Sequence, residues 1–182
     1  MAYKKRTETD YFIIHCSATK PHMDIGFVEI DKWHKAKGWT GCGYHYIIRR
    51  DGELEPGRPH DMQGAHCYKE NHHSIGICLV GGVDVNNRPE DNFTPAQMST
   101  LSRTIDYLDT IYPHCEVKGH RYFNSNKACP SFDVQFWMGT KINRDEGRVD
   151  ILEVIYRTMK TYPDNSEVYE VLKGVLNAAG KV

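Results

Sequence analysis

A hydrolytic zinc site takes about three protein ligands, thiolate sulfur or neutral imidazole, that converge on one point and leave a coordination position for water. His15 closes the apolar run Tyr11-Phe12-Ile13-Ile14 and so stands at a strand end. His120 follows a second short run at 116–119, and Cys129 comes nine residues later in a segment that can fold back. The donor types suit zinc, but their spacing alone does not select it. Neither a Cys-x-x-Cys pair nor a His-Glu-x-x-His word occurs, and a lone histidine at a strand end is more often a hydrogen-bonded structural residue. Read alone, Lys127 is a solvated lysine, Tyr44 a packed ring with a satisfied hydroxyl, and His66 a loop histidine.

Positioning these groups falls to alternating strands and helices. The run 11–15 reads as a buried strand. Asp24 is placed to cap a helix reaching about Lys37, with Phe27, Ile30, Trp33 and His34 on one face and Gly38 as its stop. Residues 44–49 alternate as a strand that puts Tyr44 and Tyr46 on one face and His45 on the other. Asp51-Gly52 then turns the chain into a hairpin returning through 53–55. A further apolar strand spans 74–80, closed by Gly81-Gly82. Thr94-Pro95-Ala96-Gln97 is a capping box ahead of Met98, Leu101, Ile105, Leu108 and Ile111 at helical spacing, and Pro113 ends that helix. A loop through Pro130 and a short helix carrying Phe132, Phe136 and Trp137 follow.

The pattern predicts an α/β or mixed α+β domain, a central mixed sheet flanked by helices. It divides into a polar N-terminal segment at 1–10, the domain at 11–140, and an extension at 141–182 that reads as a helical hairpin over 150–160 and 166–178. With 40% hydrophobic residues among 182, the chain can build a core without disulfides. A net charge of −1 removes the electrostatic case for wrapping nucleic acid, and no stretch suits a membrane span. The charged N-terminus lacks the apolar core of a secretory signal, so the expected compartment is the cytosol, where the six cysteines stay reduced.

Several words occur in order: His15-Cys16-Ser17-Ala18-Thr19, Gly43-Tyr44-His45-Tyr46-Ile47-Ile48, Asp51-Gly52, Gly64-Ala65-His66, Ser74 through Gly82, Phe93 through Gln97, Gly119-His120 and Lys127 through Asp133. Together they resemble the phage-lysozyme type of zinc N-acetylmuramoyl-L-alanine amidase, within the amidase-2 and peptidoglycan-recognition-protein superfamily, over residues 11–137. The resemblance implies Zn2+ held by His15, His120 and Cys129, with Tyr44 and Lys127 as catalytic side chains. It places His66 at the substrate groove or behind a ligand. It implies a phage endolysin that cleaves the bond between N-acetylmuramic acid and L-alanine in bacterial peptidoglycan, a monomer that gathers in the host cytoplasm and reaches the wall after the membrane is breached. Such enzymes also include an inhibitor of the phage RNA polymerase, which makes that polymerase a candidate partner. The alternative is a non-catalytic peptidoglycan-binding module. The three intact ligand positions and Tyr44 favour the enzyme. Two departures stand out: the loop between His120 and Cys129 is one residue longer than in those relatives, and the extension after 140 has no counterpart.

Overall fold

The computed structural model describes residues 4–142. The chain divides into two compact units, Met1–Gln135 and Phe136–Val182. The helical pair expected over 150–160 and 166–178 lies outside the described residues.

The first unit is built on a five-stranded sheet of order β3-β2-β4-β1-β5, formed by β1 (Tyr11–Cys16), β2 (Tyr46–Ile48), β3 (Leu54–Pro56), β4 (Ser74–Leu79) and β5 (Glu116–Gly119). β1 lies between β4 and β5 and runs parallel to both, β2 is parallel to β4, and β3 returns antiparallel to β2. The expected mixed sheet is therefore present. Phe12, Ile13 and Ile14 of β1 and Ile75, Ile77 and Cys78 of β4 are fully buried, as continuous apolar runs in parallel strands covered on both faces should be. No helix of the described residues is long and apolar enough to cross a membrane.

The helix α1 (Phe27–Ala36) is capped by Gly26, not Asp24: the Gly26 N–H donates to Glu29 Oε2 at 2.9 Å, and Asp24 instead pairs with Arg49 at 2.9 Å. Its inner face carries Ile30 and His34, whereas Trp33, expected inside, is 39% exposed. α2 (Pro95–Ile111) has the expected cap, with Thr94 Oγ1 accepting from the Gln97 N–H and the Gln97 side chain accepting from the Thr94 N–H, both at 3.1 Å. Gln97 is wholly buried, and its Nε2 donates to the carbonyls of Ile48 and Val80 at 3.1 and 2.8 Å, fastening the helix start to β2 and the end of β4. The hairpin forms at Asp51-Gly52 with Gly52 at φ +90°, a conformation that favours glycine.

Four further expectations are corrected. The second strand begins at Tyr46, so Tyr44 lies before the ladder. Tyr44 packs with the Ile47 side of the sheet, beside Ile30 and Cys78, while Tyr46 reaches His60, so the two tyrosines do not share a face. The loop after His120 contains a helical turn, α3 (His120–Phe123). The last described helix, α4, spans Val134–Ile142 and starts after Phe132. The polar N-terminal stretch is also tied down: Lys5 bridges Met62, and Arg6 Nε donates to the His60 carbonyl at 2.8 Å.

Candidate metal centre

Parallel pairing of β1 with β5 sets Ile14 opposite Gly119, so the next residues on the two strands, His15 and His120, emerge side by side at the carboxyl edge of the sheet. Their ring centroids are 4.6 Å apart. Ligand sites in sheets of this kind gather at that edge. The loop that follows returns Cys129 to the same point through backbone bonds: the Arg121 N–H donates to the Cys129 carbonyl at 2.9 Å, and the Lys127 N–H to the Asn124 carbonyl at 3.0 Å. Beyond it, Ser131 Oγ donates to the Gly82 carbonyl at 2.7 Å, and Arg121 Nη2 to the Phe132 carbonyl at 2.7 Å. The loop thus delivers its cysteine to the two histidines.

His15, His120 and Cys129 each offer one ligand atom, and these atoms lie within 4.8 Å of one another. Cys129 Sγ is 3.7 Å from His15 Nδ1. Zinc–sulfur and zinc–nitrogen bonds of about 2.3 and 2.0 Å at a tetrahedral angle imply a sulfur–nitrogen edge of about 3.6 Å, so this pair fits a shared ion. The donor set matches in protonation as well. Burial holds the imidazole of His15 well below its ordinary range, with the charge of His120 adding to the effect. Burial and the nearby Lys127 charge lower His120. Both rings are therefore neutral at neutral pH and present lone pairs without a proton to displace.

The third donor has a close neighbour in Cys16. Cys16 hydrogen-bonds Cys129, which holds the Cys16 thiol down to about 7, while the same contact and burial push the Cys129 thiol up. The two sulfurs thus compete for one negative charge. A cation held by His15 and His120 would draw that charge onto Cys129, whose sulfur already accepts the Cys16 backbone N–H at 3.3 Å. Nothing in the spacing of 16 and 129 announces this contact; only the sheet register creates it.

Tyr44 stands with its ring centroid 5.2 Å from His15 and 5.5 Å from His34. Burial, and then the surrounding thiols, raise its phenol well above the ordinary range, so it keeps its proton and offers an O–H. Lys127 is exposed on the turn before Cys129, close enough to His120 for its charge to be felt there. His66 is buried, its Nδ1 3.0 Å from His15 Nε2. All six residues singled out in the sequence therefore come together at one edge of the sheet. Among the described residues a second group of potential donors, Glu8, His72 and His73, lies at the surface. There both His73 nitrogens already face carboxylates, Asp10 at 2.9 Å and Glu70 at 2.7 Å.

Comparison with known proteins gives the family. A sequence model of N-acetylmuramoyl-L-alanine amidases matches residues 5–132. The endolysin of Enterobacteria phage K11 is 48% identical over 147 residues, covering 80% of this chain and 97% of its own. The endolysin of Escherichia phage T7 is 46% identical over 135 residues, 74% of this chain and 89% of its own. Among solved structures, the N-acetylmuramoyl-L-alanine amidase LysC from Clostridium intestinale superposes with a TM-score of 0.64 at 27% identity, covering 79% of this chain and 95% of that one. With the matched segment running from the N-terminal bridge to the loop that carries Cys129, the chain belongs to the N-acetylmuramoyl-L-alanine amidase family.

Proposed function

We propose that the chain is a phage endolysin that hydrolyses the amide between N-acetylmuramic acid and L-alanine of peptidoglycan, with Zn2+ bound by His15, His120 and Cys129. The observation that carries this reading is the convergence of two neutral imidazoles and one thiol at the open edge of an amidase-family sheet. When bound there, zinc supplies Lewis acidity toward the scissile carbonyl and toward water.

The protein's own groups supply the rest. Tyr44 keeps its proton and orients what lies beside His15 by donating a hydrogen bond. Lys127 contributes a cation where negative charge builds on the carbonyl oxygen, an interaction strengthened once substrate excludes water. Cys16 steadies the Cys129 sulfur through its backbone N–H. Phage origin, and a route from host cytoplasm to the wall after the membrane is breached, belong to the same proposal.

The test is the chemistry of the cut. Purified sacculi digested with the full chain are expected to release peptides with a new free L-alanine amine and no new reducing sugar ends. Reducing ends without free alanine would make the enzyme a glycosidase and overturn the reading. Binding to sacculi with neither product would make it a recognition module.

A further inference from the structure

His66 occupies a slot made for an imidazole. Gly76 of β4 lies in the same register row as Ile13, one pleat step from the His15–Cys78 row, so its missing side chain leaves a gap on the face that carries His15. The His66 ring fills that gap. A Cβ at Gly76 would lie 2.5–2.8 Å from its ring atoms, and one at Gly64 2.2–2.6 Å. The backbone leading into the ring is pinned as well, since the His66 and Cys67 N–H groups both donate to Asn71 Oδ1, at 2.8 and 3.0 Å.

The ring is 9% exposed, and its Nε2 has no hydrogen-bond partner among the described residues. A buried unpaired ring nitrogen costs about 1–3 kcal/mol, a cost that an apolar side chain in the same slot would not carry. Packing alone therefore does not account for a histidine here. The nitrogen that is paired points at His15: His66 Nδ1 is 3.0 Å from His15 Nε2. His15 meets Cys129 through its other nitrogen, Nδ1, at 3.7 Å.

We infer that His66 is the positioning residue for the metal ligand His15: its Nδ1 accepts the His15 Nε2 proton, fixing the tautomer that turns the His15 Nδ1 lone pair toward the ion. This rests on the zinc reading above. A ligand imidazole has two nitrogens, and the one that binds is decided by the hydrogen bond the other makes. His66 is the only ring within hydrogen-bond distance of His15 Nε2 among the described residues, and it is held there by two glycines and an asparagine. It touches the ligand rather than the substrate, acting through His15.

The experiment uses the full chain as wild type, His66→Phe, His66→Asn and Cys129→Ser, titrated with zinc against a chromophoric chelator. Phenylalanine keeps a flat ring in the slot but removes the acceptor, and asparagine restores an acceptor oxygen near the Nδ1 position. His66→Phe is expected to bind zinc about 10–100-fold more weakly than wild type, with His66→Asn recovering most of the loss. Equal zinc affinity in wild type and His66→Phe would overturn the inference while leaving the zinc reading intact. Failure of wild type to bind zinc more tightly than Cys129→Ser would overturn the zinc reading itself. A wild-type measurement covers the case in which the variants do not fold: imidazole nitrogen NMR of the zinc-loaded chain is expected to show His15 protonated at Nε2. A His15 ring protonated at Nδ1 would overturn the assignment.

Discussion

Lys127 and Tyr44 have been treated differently by the fold, and their variants should separate accordingly. Lys127 is exposed, with its turn held by backbone bonds, so Lys127→Ala is expected to keep the fold and the zinc while losing about 10²-fold or more in rate, the scale of one oxyanion donor. Loss of metal together with rate, measured by metal analysis beside the kinetics, would assign it a structural task instead. Tyr44→Phe removes only the O–H from a ring already packed against the Ile47 and Cys78 cluster, so stability is expected to stay within about 1 kcal/mol of wild type while the rate falls by about 10²-fold or more. At this scale the sequence was readable where order carried information. The words around His15, Tyr44, Lys127 and Cys129 picked out groups that the fold brings together. Cys16 was not readable, because its meeting with Cys129 depends on a strand end and a distant loop coinciding in space.

Elements were legible where their signals were local. The Thr94 to Gln97 capping box and the Asp51-Gly52 turn both form, since each needs only its own few residues. The start of α1 departs from the local pattern because two long-range partners intervene: Arg49 takes the Asp24 carboxylate, and Glu55 accepts from the Phe27 N–H. The Tyr44 and Tyr46 faces were misassigned because strand alternation was extended past the point where pairing begins. Gln97 shows how a local signal takes on a global task. It closes the cap of α2 and also reaches the carbonyls of Ile48 and Val80 from a fully buried position. Gln97→Leu is expected to lower stability by about 2–3 kcal/mol, lowering the melting midpoint by about 4–12 °C for a chain of this size, as read by thermal denaturation of the metal-free protein. A change below about 1 °C would show that the buried amide is not fastening the helix to the sheet.

For the molecule as a whole, the strand order was the part composition and periodicity could not supply. β1 sits between β4 and β5, and that topology is what turns residues 15 and 120 into neighbours. The fold also concentrates neutral histidines. Burial holds His34 and His45 down to about 4, and it lowers His15, His66 and His120 as well. The unfolded chain takes up protons below an ordinary value of about 6.5 while the folded chain does not, so stability is present above that pH and is lost as pH falls toward 4. His73 acts in the opposite sense, its burial outweighed by hydrogen bonds to Glu70 and Asp10, but it is one group against several. Between pH 7 and 5 His45 alone is expected to remove about 2 kcal/mol, and a melting midpoint of the metal-free chain that rises over that interval would contradict this. Whether the converging His15, His120 and Cys129 hold the zinc on which amide cleavage depends is decided by metal content and sacculus hydrolysis measured on the same preparations of wild type and Cys129→Ala. Close to one zinc per wild-type chain is expected, with metal and activity lost together in the variant. A zinc-free Cys129→Ala protein that cleaves at the wild-type rate would contradict it.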